Sequence, residues 1–189
     1  RLEETARIYT QTESHKLEAG KGWNLERAKE IIDNSDSQIF GMVFNETGYG
    51  VNNKAKEIIQ YAKKKGMITI LDCVSAWPGY EVDMMEFGLD GFATASQKCL
   101  GCPPGLALVG LSKDAIERME KRKEIPTYYI NLNRYRKRYL KNKQTPNTPA
   151  ITIMWALQKS FDKIDEQGGI VGTVKKHEEF AEYTRKRIT

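Results

Sequence analysis

Cysteine, histidine and long apolar runs are all scarce in this 189-residue sequence. The three cysteines lie between positions 73 and 102, and an odd number so placed excludes the disulfide framework of a small secreted protein. No stretch approaches the roughly 20 apolar residues of a membrane span, and the start, RLEETARIYT, lacks the apolar core of a signal peptide. We therefore predict a cytoplasmic protein with no membrane partner. His15 and His177 fall in no motif, so we expect ordinary surface or helix positions for both and no metal site.

Neither end of the sequence carries a boundary signal. The chain starts without an initiator Met, and its last residues, EEFAEYTRKRIT, stop inside a helical pattern that has no stop signal. We therefore expect these 189 residues to be the central part of a longer protein.

Positive charge is concentrated in one segment. The whole chain has a net charge of +5, but residues 113–143 contain 11 Lys and Arg against four Asp and Glu. Within this segment NRYRKRYLKNK interleaves basic residues with Tyr135 and Tyr139, which is one pattern of a nucleic-acid-binding surface. We favour a solvated basic face and predict no nucleic-acid partner, because the surrounding chain has no nucleic-acid-binding motif.

Apolar strands alternate with amphipathic helices through the first two thirds of the sequence. Strands are predicted for four apolar runs, at residues 37–45, 67–72, 91–96 and 106–112. Asn24 and Ser112 are predicted to cap helices, and Gly66 to end one. This β-α-β-α-β order predicts an α/β fold with a mostly parallel sheet covered by helices on both faces.

Polar clusters follow three of the predicted strands. They are NETGYG at residues 45–50, DCVS at 72–75 and SQK at 96–98. Each cluster alone is typical of a turn. Because ligands bind at the carboxyl ends of parallel strands, a hydroxyl, a carboxylate and a lysine meeting at one edge indicate a site.

Lys98 is the only charged residue between positions 91 and 112. Burial of an unpaired ammonium costs several kcal/mol or lowers its pKa until the amine is neutral, and a neutral amine is a nucleophile. In the alternative, Lys98 extends from a loop and keeps its ammonium in water. The residue chemistry alone supports these two interpretations equally.

The order of these motifs resembles the class V aminotransferases of pyridoxal-phosphate enzymes, fold type I, and within them the serine–pyruvate and alanine–glyoxylate aminotransferases. The resemblance runs through nearly all 189 residues and rests on four motifs: the NETxxG-like loop, DxVS at 72–75, SQKxLGxPPGLALV at 96–109 and QTPNTPA at 144–150. It implies a three-layer α/β/α sandwich, with the large cofactor domain at residues 1–150. Residues 151–189 are then a helical segment that leads toward a small domain.

The resemblance also implies roles for single residues. Lys98 would carry pyridoxal 5'-phosphate as an internal Schiff base, and an amine in a poorly hydrated site has the lowered pKa that this requires. Asp72 would keep the pyridine nitrogen protonated and make the ring a better electron sink. Val74 would pack on the ring face, and Thr47 would bond the phenolic oxygen.

The phosphate end of the cofactor is implied to involve two subunits. Ser96 and Gln97 would lie near the phosphate, and Thr148 matches a position that reaches the phosphate of the neighbouring subunit. The resemblance therefore implies a homodimer with shared active sites. At Thr145 the sequence departs from close relatives, which often carry a tyrosine for the same phosphate.

The implied reaction moves an amino group from a small amino acid, serine or alanine, to a 2-oxo acid, pyruvate or glyoxylate. The family pattern also includes an N-terminal part that holds the phosphate and a C-terminal arginine for the substrate carboxylate, and no arginine here fits that role by motif. We therefore expect these residues alone to form an incomplete, inactive site.

Three alternatives stay open within the family and one outside it. The 2-aminoethylphosphonate and ureidoglycine transaminases share the motifs, while cysteine desulfurases usually have a histidine where this chain has Gln97. Outside the family, Cys99 and Cys102 form a CxxC pair near Cys73, which is one pattern of a redox or metal site. We favour small buried cysteines, because no second ligand pair is evident.

Overall fold

The computed structural model describes residues 2–188, and a four-stranded sheet forms its centre. The six strands are β1 Ile39–Val43, β2 Asn45–Glu46, β3 Val51–Asn52, β4 Ile68–Asp72, β5 Gly91–Ala95 and β6 Ala107–Leu111. The first four helices are α1 Leu2–Arg7, α2 Leu25–Asp33, α3 Ala55–Lys64 and α4 Met84–Phe87. The last four are α5 Lys113–Lys121, α6 Leu132–Asn142, α7 Ile151–Glu166 and α8 Gly169–Ile188. No helix in this part of the chain is both long and apolar enough to cross a membrane.

The main sheet has the strand order β1-β4-β5-β6. Strands β1, β4 and β5 are parallel, and β6 is antiparallel to β5, with Ala95 opposite Ala107. The short connection from β5 to β6 has no crossover helix, which an antiparallel pair does not need. The predicted α/β class with a mostly parallel sheet is confirmed.

Local signals set the helix ends that the sequence predicts. The side chain of Asn24 accepts hydrogen bonds from the N–H groups of Glu26 and Arg27, at 2.8 and 3.3 Å, and so caps α2. The Ser112 hydroxyl caps α5 in the same way. Gly66 follows α3 with φ +83°, a conformation that glycine adopts at least cost. The segment at 37–45 was predicted as one strand, but β1 ends at Val43 and a short hairpin, β2–β3, follows.

The hydrophobic core lies on one face of the sheet. Buried apolar side chains of α2 and α3, including Ile32, Ile58 and Ile59, pack in one cluster with Leu71 of β4 and with Phe87. Burial of such side chains stabilises the fold by about 1.5–3 kcal/mol each. Because this packing holds the strands in place, it also fixes the positions at which the loops after β1, β4 and β5 begin.

The opposite face of the sheet is only partly covered. Leu2 of α1 lies against it near Gly41, but Ile39, Ile70 and Val109 are 51%, 37% and 45% exposed. The strand register puts Asp72 on the same face as Ile70 and Val109. The predicted helical cover on both faces is therefore incomplete within residues 2–188, because α2 and α3 both pack on the same side.

Asp90 links several elements at the end of the sheet remote from the polar clusters. Its buried carboxylate accepts hydrogen bonds from Lys63 Nζ at 2.7 Å, the Thr69 N–H at 3.0 Å and the Ser112 hydroxyl at 2.9 Å. Burial alone would raise the pKa of Asp90, but these three donors, with Lys63 first, outweigh burial and lower the pKa. The carboxylate therefore stays charged and joins α3, β4 and the start of α5.

Asp90→Ala is expected to lower the free energy of unfolding by about 3 kcal/mol, because the buried Thr69 N–H and the Lys63 ammonium lose their acceptor. Since folding lowers this pKa, the stabilisation is present above about pH 4 and is lost as the pH falls through the folded value. Urea unfolding between pH 3 and 7 measures both effects. The exposed Asp36→Ala serves as control and should change the free energy by less than about 0.5 kcal/mol; equal losses would contradict the assignment.

Candidate active site

The carboxyl ends of β1, β4 and β5 lie at one edge of the sheet. In the ladder Val43 pairs with Asp72, and Asp72 pairs with Ala93. The three polar clusters therefore leave from the same edge, with Asn45 two residues and Ser96 three residues beyond the level of Asp72. This is the edge at which parallel sheets bind ligands.

Asp72 is the last residue of β4. Its Oδ1 accepts a hydrogen bond from the Val74 N–H at 2.9 Å, and its main-chain oxygen accepts from the Phe44 N–H at 2.9 Å. Within residues 2–188 the other carboxylate oxygen, Oδ2, has no hydrogen-bond partner. The local structure therefore fixes the carboxyl group through one oxygen and leaves the other for a ligand.

Cys73 follows Asp72 and points into the core. It is fully buried, and burial together with the negative charge of Asp72 raises the pKa of its thiol well above the usual range. Cys99 and Cys102 are half-buried, and all three cysteines are free thiols. Among the described residues no group of three or more His, Cys, Asp and Glu side chains could hold a metal ion.

Thr47 lies on the exposed turn of the β2–β3 hairpin. The base of the hairpin is held to the neighbouring loop by Asn45 and Ser75. The Ser75 hydroxyl donates to the main-chain oxygen of Asn45 at 2.7 Å, and Asn45 Nδ2 donates back to the Ser75 hydroxyl at 3.3 Å. The structure therefore brings the loops of Thr47 and Asp72 together.

Lys98 begins a tight turn after β5. The Gly101 N–H donates to the Lys98 carbonyl at 2.8 Å, and Gly101 has φ +65°. The side chains of Gln97 and Lys98 are exposed, so the predicted poorly hydrated amine is not found within residues 2–188. Lys98 lies on the turn after β5, and the described residues leave its side chain open to solvent.

Ser96 differs from its two neighbours. It is fully buried, its hydroxyl donates to the Pro103 carbonyl at 2.7 Å, and the Leu106 N–H donates to that hydroxyl at 3.3 Å. These bonds close the loop that carries Lys98. The predicted proximity of Ser96 to a phosphate stays a prediction.

Helix α7 supports the lysine loop from behind. The Ser160 hydroxyl donates to the carbonyl of the buried Leu100 at 2.5 Å. Gly105 has φ +137°, a backbone conformation that residues with a side chain rarely adopt, and a β-carbon there would lie 2.5 Å from Ile153 Cδ1, so this position favours glycine. The sequence predicted packing for this helix but gave no sign of the Ser160 contact, and the predicted boundary at residue 150 stays a prediction.

Thr148 is exposed, and within residues 2–188 no hydrogen bond joins its side chain to the three loops. Its predicted contact with the phosphate of a neighbouring subunit stays a prediction. Its segment is anchored by Arg134, which stacks on the Tyr128 ring at 3.9 Å and donates to Asn147 Oδ1 at 3.2 Å and the Pro146 carbonyl at 3.3 Å. Arg134 belongs to α6, a helix that the sequence analysis did not predict.

Three loops thus present a lysine amine, a carboxylate and a hydroxyl at the carboxyl edge of a mostly parallel sheet. The arrangement defines an α/β domain with three polar loops at one sheet edge. The comparisons with known proteins then identify the family. The class-V aminotransferase family matches residues 6–189, and the chain belongs to this family.

Individual relatives agree with this assignment. An uncharacterized aminotransferase of Methanocaldococcus jannaschii is 39% identical over 161 residues, which are 85% of this chain and 42% of the relative. The serine–glyoxylate aminotransferase of Arabidopsis thaliana is 28% identical, over 89% of this chain and 43% of its own. The alanine–glyoxylate aminotransferase of a Nostoc species has a similar fold, with a TM-score of 0.82 at 23% identity, over 89% of this chain and 45% of its own. The chain thus spans less than half the length of these relatives.

Members of this family use pyridoxal phosphate, and the residues at the sheet edge fit that cofactor. The Oδ2 oxygen of Asp72, which has no partner within residues 2–188, is the acceptor that a protonated ring nitrogen requires. Lys98 presents the primary amine that an aldehyde requires, and Thr47 presents a hydroxyl that can bond a phenolic oxygen.

Proposed function

We propose that the protein containing these residues is a pyridoxal-phosphate-dependent aminotransferase in which Lys98 carries the cofactor. The observation that supports it most is the convergence of Lys98, Asp72 and Thr47 on one sheet edge in a member of the class-V family. When bound, the cofactor supplies an aldehyde for the amino group and a ring that withdraws electrons from the α-carbon.

Each of the remaining steps is assigned to a side chain of this chain. Lys98 Nζ holds the cofactor covalently and, once released, moves the proton of the substrate α-carbon. Asp72 Oδ2 keeps a proton on the ring nitrogen, while the Val74 N–H holds the same carboxyl group in place through Oδ1. The Val74 side chain packs on the ring face, and Thr47 donates to the phenolic oxygen.

The phosphate end of the site depends on two subunits in this proposal. Gln97 and Ser96 lie on the phosphate side of Lys98, and Thr148 reaches the phosphate of a second subunit, which makes the protein a homodimer. Large exposed apolar side chains in the segments before and after Thr148 support a contact with a second subunit, including Tyr129 at 63% and Trp155 at 70% exposure. Light scattering of the complete protein should give twice the subunit mass.

The substrates we propose are a small amino acid, serine or alanine, and a small 2-oxo acid, glyoxylate or pyruvate. The names of the serine–glyoxylate and alanine–glyoxylate relatives support this choice. A panel of amino donors with glyoxylate and pyruvate tests it. A rate with 2-aminoethylphosphonate or ureidoglycine at least tenfold above those with serine and alanine would assign the protein to one of those transaminases instead.

We also propose a cytoplasmic location. Three free thiols within residues 2–188 fit a reducing compartment. Fractionation of the native cells tests this, and recovery outside the cytoplasm would contradict it.

Borohydride reduction of the complete protein with bound cofactor is expected to place a stable adduct on Lys98. The physical reason is that only an amine at the aldehyde carbon gives a bond that reduction makes permanent. Mass mapping of peptides measures the position of the adduct, and the visible absorbance of the bound cofactor should disappear on reduction. An adduct at any other lysine would disprove the assignment.

A further inference from the structure

Ser75 forms hydrogen bonds with residues of two other loops of the candidate site. It lies three residues beyond β4 and is half-buried. Its hydroxyl donates to the Asn45 main-chain oxygen at 2.7 Å and accepts from Asn45 Nδ2 at 3.3 Å, and its carbonyl accepts from the same Nδ2 at 3.4 Å. Two residues from different loops thus bond each other reciprocally.

These bonds are the side-chain contacts between the hairpin that carries Thr47 and the loop after β4. Within residues 2–188, all hydrogen bonds from side chains of residues 45–50 to another loop go to Ser75. The Phe44 N–H, which donates to the main-chain oxygen of Asp72 at 2.9 Å, fixes the residue before the hairpin. The contact between Asn45 and Ser75 then orients the hairpin itself, and with it Thr47, relative to Asp72.

Ser75 also contacts the loop that carries Lys98. The Cys99 thiol lies 3.9 Å from the Ser75 carbonyl, within the range of a sulfur hydrogen bond, and Cys99 directly follows Lys98. Ser75 is thus in contact with the residue after Lys98 and with a residue two positions before Thr47. It is itself three positions after Asp72.

We propose that Ser75 is a positioning residue that fixes Thr47 and Lys98 relative to Asp72 and so sets the affinity of the site for its cofactor. The inference rests on the proposed function, because it takes these three residues as the cofactor ligands. Preorganised ligands lose less conformational freedom on binding, and a hairpin released from Ser75 must be ordered when the cofactor binds. The hydroxyl acts through Asn45 and does not touch the reacting atoms.

The test compares Ser75→Ala with the wild type in the complete protein. Titration with pyridoxal 5'-phosphate, followed by protein fluorescence, is expected to give a dissociation constant about tenfold higher for the variant, because the freed hairpin must be ordered on binding. Asn45→Ala removes the two bonds donated by its Nδ2 but keeps the main-chain oxygen that accepts from the Ser75 hydroxyl, so it should cause a smaller increase than Ser75→Ala. The double variant should have the highest dissociation constant, because each single variant leaves one bond that only the double variant removes.

Thr94→Val is the matched control. Its buried hydroxyl bonds the carbonyls of Cys73 and Trp77 but touches neither the hairpin nor the lysine loop. It should lower the unfolding midpoint without cofactor at least as much as Ser75→Ala does, yet leave the dissociation constant within twofold of wild type. Ser75→Thr keeps the hydroxyl and should restore most of the affinity.

The outcomes separate this inference from the proposed function. Failure of the wild type to bind pyridoxal 5'-phosphate at Lys98 would overturn both. Wild-type binding at Lys98, with dissociation constants for Ser75→Ala and Asn45→Ala within twofold of wild type, would overturn only the role of Ser75. An increase in Thr94→Val equal to that in Ser75→Ala would overturn it too, since a general loss of stability would then explain both.

Discussion

Lys98→Ala is expected to lower kcat/KM of the complete aminotransferase by about 10⁴-fold or more. Two functions are lost together, because the same amine holds the cofactor and moves the substrate proton. Lys98 is exposed on a turn closed by the hydrogen bond from Gly101 to its own carbonyl, so truncation of its side chain leaves that backbone bond in place. The catalytic rate should therefore fall, while the circular dichroism spectrum and the unfolding midpoint, both measured without cofactor, remain those of the wild type.

Two further variants distinguish the loss of the reactive amine from the loss of a positive charge. Lys98→Arg keeps the positive charge but provides no neutral amine near pH 7, and we expect it to be as inactive as Lys98→Ala. Lys113→Ala removes another exposed lysine, at the start of α5, and should keep full activity. Added methylamine should restore a small part of the rate in Lys98→Ala, because a free amine replaces the missing proton carrier. Retention of a tenth or more of the activity in Lys98→Ala would contradict the assignment.

The sequence predicted those site residues whose positions depend on the end of one strand. Asp72 ends the apolar run at 67–72, and Lys98 lies two residues after the run at 91–96. The change from apolar to polar residues marks the end of a strand even when its partner strands are unknown. The parallel order of β1, β4 and β5 then brings these ends together. The residue chemistry left burial and exposure of Lys98 equally open, because the choice between them depends on how the loop after β5 packs in the tertiary fold.

The supporting contacts could not be predicted for a different reason. Asn45 and Ser75 meet because a hairpin of two-residue strands interrupts the chain after β1, and strands so short leave no periodic signal. Ser160 lies 60 residues from Leu100, so only the tertiary fold brings its hydroxyl to the lysine loop. Helix α6 was missed because its sequence, LNRYRKRYLKN, has charges and tyrosines instead of an apolar stripe.

Asp72→Asn is expected to lower kcat by about 10³-fold, equivalent to about 4 kcal/mol of transition-state stabilisation. The carboxylate next to the ring nitrogen favours the protonated ring by the attraction of opposite charges, and a protonated ring withdraws electrons more strongly. Asparagine is the most informative substitution because the structure gives a hydrogen-bond partner to Oδ1 and leaves Oδ2 without one within residues 2–188. Its Oδ1 still accepts from the Val74 N–H, as in the wild type, while an amide donor replaces Oδ2. The loop geometry is thus kept while the acceptor for the ring proton is removed.

Asp83→Asn is the matched control for this change. Asp83 is an aspartate whose side chain caps α4 through the N–H groups of Met85 and Glu86, a role that asparagine fills equally well. It should therefore leave kcat and stability unchanged. A cofactor analogue methylated on the ring nitrogen carries a fixed positive charge and needs no carboxylate to hold a proton, so it should narrow the difference between Asp72→Asn and wild type. Equal rates for Asp72→Asn and wild type with pyridoxal phosphate would show that Asp72 does not control the ring proton, even if Lys98 carries the cofactor.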